Sequence, residues 1–119
     1  MWNRKPNTKP LKQRSEEFKH IIEKYPDRIP VIINCNENTV KELDLMKFKY
    51  LVPTDLTIGQ FLFVIKKQCK LKESDGLYLF IKNSIMPVCS ILKDIYKKEK
   101  NEDGFLYMTL EKENTFGNC

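Results

Sequence analysis

The chain has 119 residues, of which 41% are hydrophobic and 31% charged, proportions of a single globular domain and not of a disordered segment or a membrane-spanning one. Its formal charge of +5 sits at one end: residues 1–14 carry Arg4, Lys5, Lys9, Lys12 and Arg14 and no acidic side chain, while the remainder carries sixteen of each sign. That arm contains no apolar segment of the kind a secretory signal needs, so the sequence reads as a cytosolic one.

Pro6 and Pro10 disfavour a long helix in residues 1–10 but leave room for a short one. "LKQRSEEFKHIIEK", residues 11–24, places Leu11, Phe18, Ile21 and Ile22 near one face, the spacing of an amphipathic helix. Pro26 ends it by disfavouring helical geometry at Tyr25. "RIPVIINC" (28–35) is β-branched and apolar, a buried strand. A polar connection, "NENTVKELDLM" (36–46), leads to a second strand, "FKYLVP" (48–53). Thr57 with Gln60 three residues on starts the next helix, whose stripe of Ile58, Phe61, Leu62, Ile65 and Cys69 faces a core. Phe63 and Val64 lie off that stripe and give the helix a second apolar surface. "GLYLFI" (76–81) is apolar at successive positions, which predicts a strand covered on both faces. "SILKDIYKKEK" (90–100) reads as a helix with Ile91, Leu92 and Ile95 inward, and "GFLYMTLEK" (104–112) as the last strand. A sheet sandwiched by helices follows.

Catalytic and metal-binding motifs are missing. There is no glycine-rich phosphate loop, no GxSxG elbow and no HExxH helix. Cys35, Cys69, Cys89 and Cys119 include no CxxC pair and have one histidine, His20, as co-ligand, which argues against zinc and for buried free thiols. The adjacent acids Glu16/Glu17 and Glu102/Asp103 do not converge on a common point as an acid/base pair must.

The stretch "KYLVP" is more informative. Alternation puts Lys49 and Leu51 on one face and Tyr50 and Val52 on the other. At a sheet edge such a strand is either a plain amphipathic edge or a place where an extended peptide adds as a further strand, its alternate side chains entering flanking pockets. Under the second reading Tyr50 and Leu51 are partly exposed pocket floors that the core stripe of the following helix does not need.

"EKYPDRIPVI", "KYLVPTDLTIGQFLFVIKK", "EDGFLYMTL" and "ENTFG" occur in order across residues 10–117. Together they resemble the autophagy ubiquitin-like modifier family, the group that includes the GABA-A receptor-associated protein. The resemblance implies an α+β, β-grasp ubiquitin-like fold with a four-stranded mixed sheet and two additional N-terminal helices. It divides the chain into a basic arm (1–10), the ubiquitin-like domain with its helical extension (11–113) and a flexible tail (114–119). At the N-terminus only "PLKQR" keeps the family pattern, and Met86-Pro87 stands where a double proline is more usual.

The resemblance also implies what the tail does. A dedicated cysteine protease would trim it between Gly117 and Asn118, with Phe116 beside the cut. Activating and conjugating enzymes would then join Gly117 to phosphatidylethanolamine, with no other cofactor and no metal. A residue without a side chain fits narrow active-site channels. The modifier would be cytoplasmic, with a lipidated pool on autophagosomal or other organelle membranes, and would recruit proteins carrying an aromatic-x-x-aliphatic peptide. By resemblance, Glu17, Ile21, Pro30, Ile32, Lys49, Leu51 and Phe105 line one pocket, and Tyr50, Val52, Pro53, Leu56, Phe61 and Val64 the other. Arg28 would meet acidic residues of the peptide. On this reading the protein is not an enzyme and has no nucleic-acid partner. Two alternatives stay open: a ubiquitin-like interaction domain that is never conjugated, and a basic RNA-binding module, which the arm favours and the balanced remainder opposes.

Overall fold

A computed structural model describes residues 9–35, 48–69, 71 and 76–112. The element order is α1 (Leu11–Lys24), β1 (Arg28–Asn34), β2 (Lys49–Pro53), α2 (Ile58–Gln68), β3 (Leu77–Ile81), β4 (Ser84–Ile85), α3 (Leu92–Glu99) and β5 (Leu106–Lys112). The sheet runs β2-β1-β5-β3-β4, with β1 and β5 parallel at its centre and the other pairings antiparallel.

β1 is the strand that both faces of the sheet depend on. Its five residues from Ile29 to Ile33 are all buried. Ile29, Val31 and Ile33 join the main core with Leu106, Met108 and Leu110 of β5, Leu77, Leu79 and Ile81 of β3, Ile58, Phe61, Leu62 and Ile65 of α2, and Leu92 and Ile95 of α3. The alternate residues Pro30 and Ile32 turn to the other face, where α1 lies. α1 itself buries none of its residues fully, and Phe18, Ile21 and Ile22 are only half covered.

α2 begins as its sequence dictates. The Thr57 hydroxyl accepts from the Gln60 N–H at 3.1 Å, and the Gln60 side chain accepts from the Thr57 N–H at 2.9 Å, which satisfies two donors that a helix start otherwise leaves open. The segment before α3 is tied to this start: Ile58 and Gly59 donate to the carbonyls of Ser90 and Val88, and Leu92 donates back to Leu56.

Several expectations are corrected. The sheet has five strands, not four, because Lys82 and Asn83, with φ of 51° and 68°, make a two-residue turn that folds Ser84–Ile85 back on β3. "GLYLFI" is not covered on both sides: its burial alternates, and Tyr78 remains 37% exposed. An apolar run is compatible with either arrangement when its outward residues are aromatic. Ile91 precedes α3 instead of belonging to its inner stripe, and is 40% exposed. Of the thiols, Cys69 is buried and Cys35 half-buried, but Cys89 is exposed on the loop before α3. Of the two N-terminal helices, α1 is one. The expectation of the other concerns residues 1–10, of which 1–8 lie outside the described residues, as do the 36–46 connection and residues 113–119, which include the tail with Phe116, Gly117 and Cys119.

Candidate functional site

β2 is an edge strand. The Ile33 N–H donates to the Phe48 carbonyl at 2.7 Å, and the register pairs Val31 with Tyr50 and Ile29 with Val52. In an antiparallel ladder bonded pairs alternate, so the main-chain groups of Lys49 and Leu51 face away from β1, along the outer edge. Pro30 sits opposite Leu51, in a pair that exchanges no ladder bonds, so its missing N–H costs the β1–β2 pairing nothing. The exposed Arg28 guanidinium reaches across to the Leu51 carbonyl at 3.4 Å.

Beside this edge a cavity of about 340 Å³ opens between α1 and the sheet, lined by Ile21, Pro30, Val31, Ile32, Lys49, Tyr50, Leu51 and Phe105. Six of the seven residues assigned to the first pocket therefore surround one space. The seventh, Glu17, stands at its rim and accepts from the Lys49 ammonium at 2.5 Å through Oε2. This bond joins α1 to β2 across the mouth of the cavity. The other oxygen, Oε1, is buried and accepts no hydrogen bond from the described residues, with the Lys9 ammonium 3.7 Å away. An apolar cleft with an amine in its wall, itself paired to a carboxylate, can take an aromatic side chain that carries a polar tip.

The residues assigned to the second pocket are spread more widely. Tyr50, Val52 and Phe61 belong to the main core, Tyr50 being only 5% exposed. The Tyr50 ring meets Phe61 edge-on at 5.3 Å between centroids, and its hydroxyl donates to Gln68 Oε1 at 3.0 Å. Burial holds that phenol protonated, well above its ordinary range. The expectation that Tyr50 is a partly exposed floor is thus corrected: any pocket here has a core residue beneath it. Leu56 and Pro53 are half-covered, and Val64 is 40% exposed, next to Phe63 on the outward side of α2.

One buried polar cluster carries no signal in the sequence. Asp103 is 1% exposed, and its Oδ2 accepts from Arg14 at 2.7 Å and from the Tyr107 hydroxyl at 2.6 Å, while Oδ1 accepts from the Phe105 N–H at 2.9 Å. The carboxylate set aside as half of an acid/base pair anchors α1 to the loop before β5. Among the described residues, no three or more His, Cys, Asp or Glu side chains gather to hold a metal, and no helix is long and apolar enough to cross a membrane.

Residues 13–117 match the family described as autophagy protein Atg8, ubiquitin like. The chain is 50% identical over 111 residues to autophagy-related protein 8A of rice (Oryza sativa subsp. indica), covering 92% of each. To autophagy-related protein 8a of Arabidopsis thaliana it is 49% identical over 109 residues, covering 91% of this chain and 88% of that one. The crystal structure of Trypanosoma brucei ATG8 superposes with a TM-score of 0.79 at 36% identity, covering 92% of this chain and 94% of that one. Proteins of this kind are ubiquitin-like modifiers that work with the autophagy machinery. With the β-grasp sheet and its α1 extension in place, the chain belongs to the Atg8 family of ubiquitin-like autophagy proteins.

Proposed function

We propose that this protein is a conjugated adaptor of autophagy and not a catalyst: a cysteine protease trims it after Gly117, activating and conjugating enzymes join it to phosphatidylethanolamine, and the membrane-held form captures proteins bearing an aromatic-x-x-aliphatic segment. The observation that carries the capture step is the position of β2 at the margin of the sheet, beside the cavity of about 340 Å³. An extended peptide pairing with that edge places its side chains alternately, so an aromatic residue can enter the cavity while main-chain bonds form along Lys49 and Leu51. The aliphatic residue three positions on reaches the apolar surface of Leu56, Pro53 and Val64. Glu17 Oε1 favours tryptophan over phenylalanine, because the indole N–H supplies the donor that this oxygen lacks. Arg28, exposed at the end of the edge, suits acidic residues flanking the motif.

For the tail, the support is the family match running through Gly117, with Asn118 and Cys119 beyond it. Cleavage of the Gly117–Asn118 peptide bond by water leaves a glycine carboxylate; the activating enzyme would use a nucleoside triphosphate to turn one carboxylate oxygen into a leaving group, which the ethanolamine amine finally displaces, through any enzyme-bound ester, to form the amide. Two acyl chains, at about 0.8 kcal/mol per buried CH₂, hold the protein far more durably than a basic arm can. The unattached form would be cytoplasmic and the lipidated form autophagosomal. Titration calorimetry with an acidic peptide containing Trp-x-x-Leu tests the capture step. Binding near micromolar strength that Leu51→Ala weakens supports it, and no binding refutes it.

A further inference from the structure

α1 supplies one wall of the peptide cavity through Ile21, yet the helix has no fully buried residue and no side-chain cap at its start. Such a helix is held by point attachments and not by a core of its own. Arg14, Phe18 and Ile21 share a face, being four and seven residues apart. Phe18 meets Phe105 edge-on at 5.9 Å. Arg14 reaches the buried Asp103 carboxylate, and the same carboxylate fixes the Phe105 N–H through its other oxygen. Phe105 is itself a wall of the cavity. One buried side chain therefore orients both walls, α1 at a distance of two helical turns and Phe105 through its backbone.

The loop around Asp103 is built to hold it still. Asn101 donates to the Phe105 carbonyl at 2.8 Å, Gly104 donates to the Asn101 carbonyl at 2.9 Å, and the Tyr96 hydroxyl donates to the Gly104 carbonyl at 2.6 Å. We propose that Asp103, acting through Arg14 and Phe105, is the positioning residue of the peptide cavity, so that docking of α1 and capture of a peptide are coupled. The inference rests on the reading of this cavity as the peptide site. Coupling between two such events is reciprocal: a peptide seated against Ile21 must stabilise α1 as much as a docked α1 favours the peptide.

The test uses the full chain, an acidic Trp-x-x-Leu peptide, calorimetry and hydrogen exchange read by mass spectrometry. Saturating peptide should slow exchange over Leu11–Lys24 in the unaltered protein. Asp103→Asn and Arg14→Gln should each speed that exchange and weaken the peptide at least about fivefold, the low end of coupled sites. The double variant should bind no worse than the weaker single one, because both remove one link. Arg14→Lys should recover part of the loss. Leu51→Ala separates the two claims, since it should weaken binding while α1 exchange without peptide stays as it was. Folded variants with fast α1 exchange and unaltered affinity overturn the positioning role and leave the peptide site standing. Protection lost across β5 in Arg14→Gln also overturns it, by making the pair part of the global fold. An unaltered protein that binds no peptide overturns the site and this inference together.

Discussion

Leu51 and Tyr50 are neighbours on one strand with opposite duties, and the contrast can be measured. Leu51 faces the cavity with Ile21, Pro30, Ile32 and Phe105 and lies outside the main core cluster. Leu51→Ala removes three carbon groups from the surface a peptide would cover, at about 0.8 kcal/mol for each one buried. The leucine is only partly exposed without peptide, so about a third of that sum, on the order of 0.8 kcal/mol, is realised on binding. Affinity should fall about fourfold, while the melting temperature falls by several degrees. Tyr50→Ala should behave in the opposite way. It empties a 5% exposed site against Phe61 and deletes the bond to Gln68, a loss of about 3–5 kcal/mol typical of buried aromatics. Calorimetry on Leu51→Ala and thermal melting on both variants give the comparison. A folded Leu51→Ala protein with undiminished affinity would falsify the placement of the aromatic residue. Equal destabilisation by the two substitutions would show that β2 does not divide its faces between core and ligand.

Three further outcomes follow from other parts of the molecule. Replacing Trp by Phe in the peptide should weaken binding roughly fivefold, as expected for one hydrogen bond of about 1 kcal/mol, and Glu17→Leu should abolish that preference; a preference that persists in Glu17→Leu assigns the donor to another partner. Gly104 adopts a φ of +97°, and a Cβ there would collide with the Phe18 ring, so Gly104→Ala should destabilise the protein by at least about 1 kcal/mol and loosen α1, which melting and hydrogen exchange would show. Among the described thiols, Cys89 is exposed and should alkylate first, whereas burial, followed by the nearby Glu111 and Cys69, raises the Cys35 pKa to about 11. Because the neutral form is favoured, the Cys35 thiolate and its alkylation rate should keep rising to pH 11, and peptide-resolved mass spectrometry that finds a plateau by pH 9 would contradict this.

Local signals were legible where one short stretch contains its own cause. Pro26 and the face of Phe18 and Ile21 define Leu11–Lys24 at both ends, and the Thr57–Gln60 pair places the start of α2. Six residues of the first pocket, assigned through the family pattern, surround one cavity because that pattern spans α1, β1, β2 and the start of β5. What escaped depends on contacts that sequence distance hides. Asp103 and Arg14 are 89 positions apart, so nothing local marks that carboxylate as buried and paired. Tyr50 alternates with Leu51 in an apolar strand whose two faces look alike, and only the packing of Phe61 reveals which one is core. The β3–β4 turn uses Lys82 and Asn83 with no glycine, leaving the fifth strand without its usual turn signature.

On the proposed function, the chain ends its processing at Gly117 and acts from a membrane. Intact-mass spectrometry of the protein recovered from salt-washed cell membranes tests both halves at once. The expected species lacks Asn118 and Cys119 and carries one phosphatidylethanolamine on the Gly117 carboxyl, and none of it forms in a Gly117→Ala protein. Membrane-bound protein that keeps Asn118 and Cys119, or that salt washing releases completely, would contradict trimming at Gly117 and anchoring by a lipid.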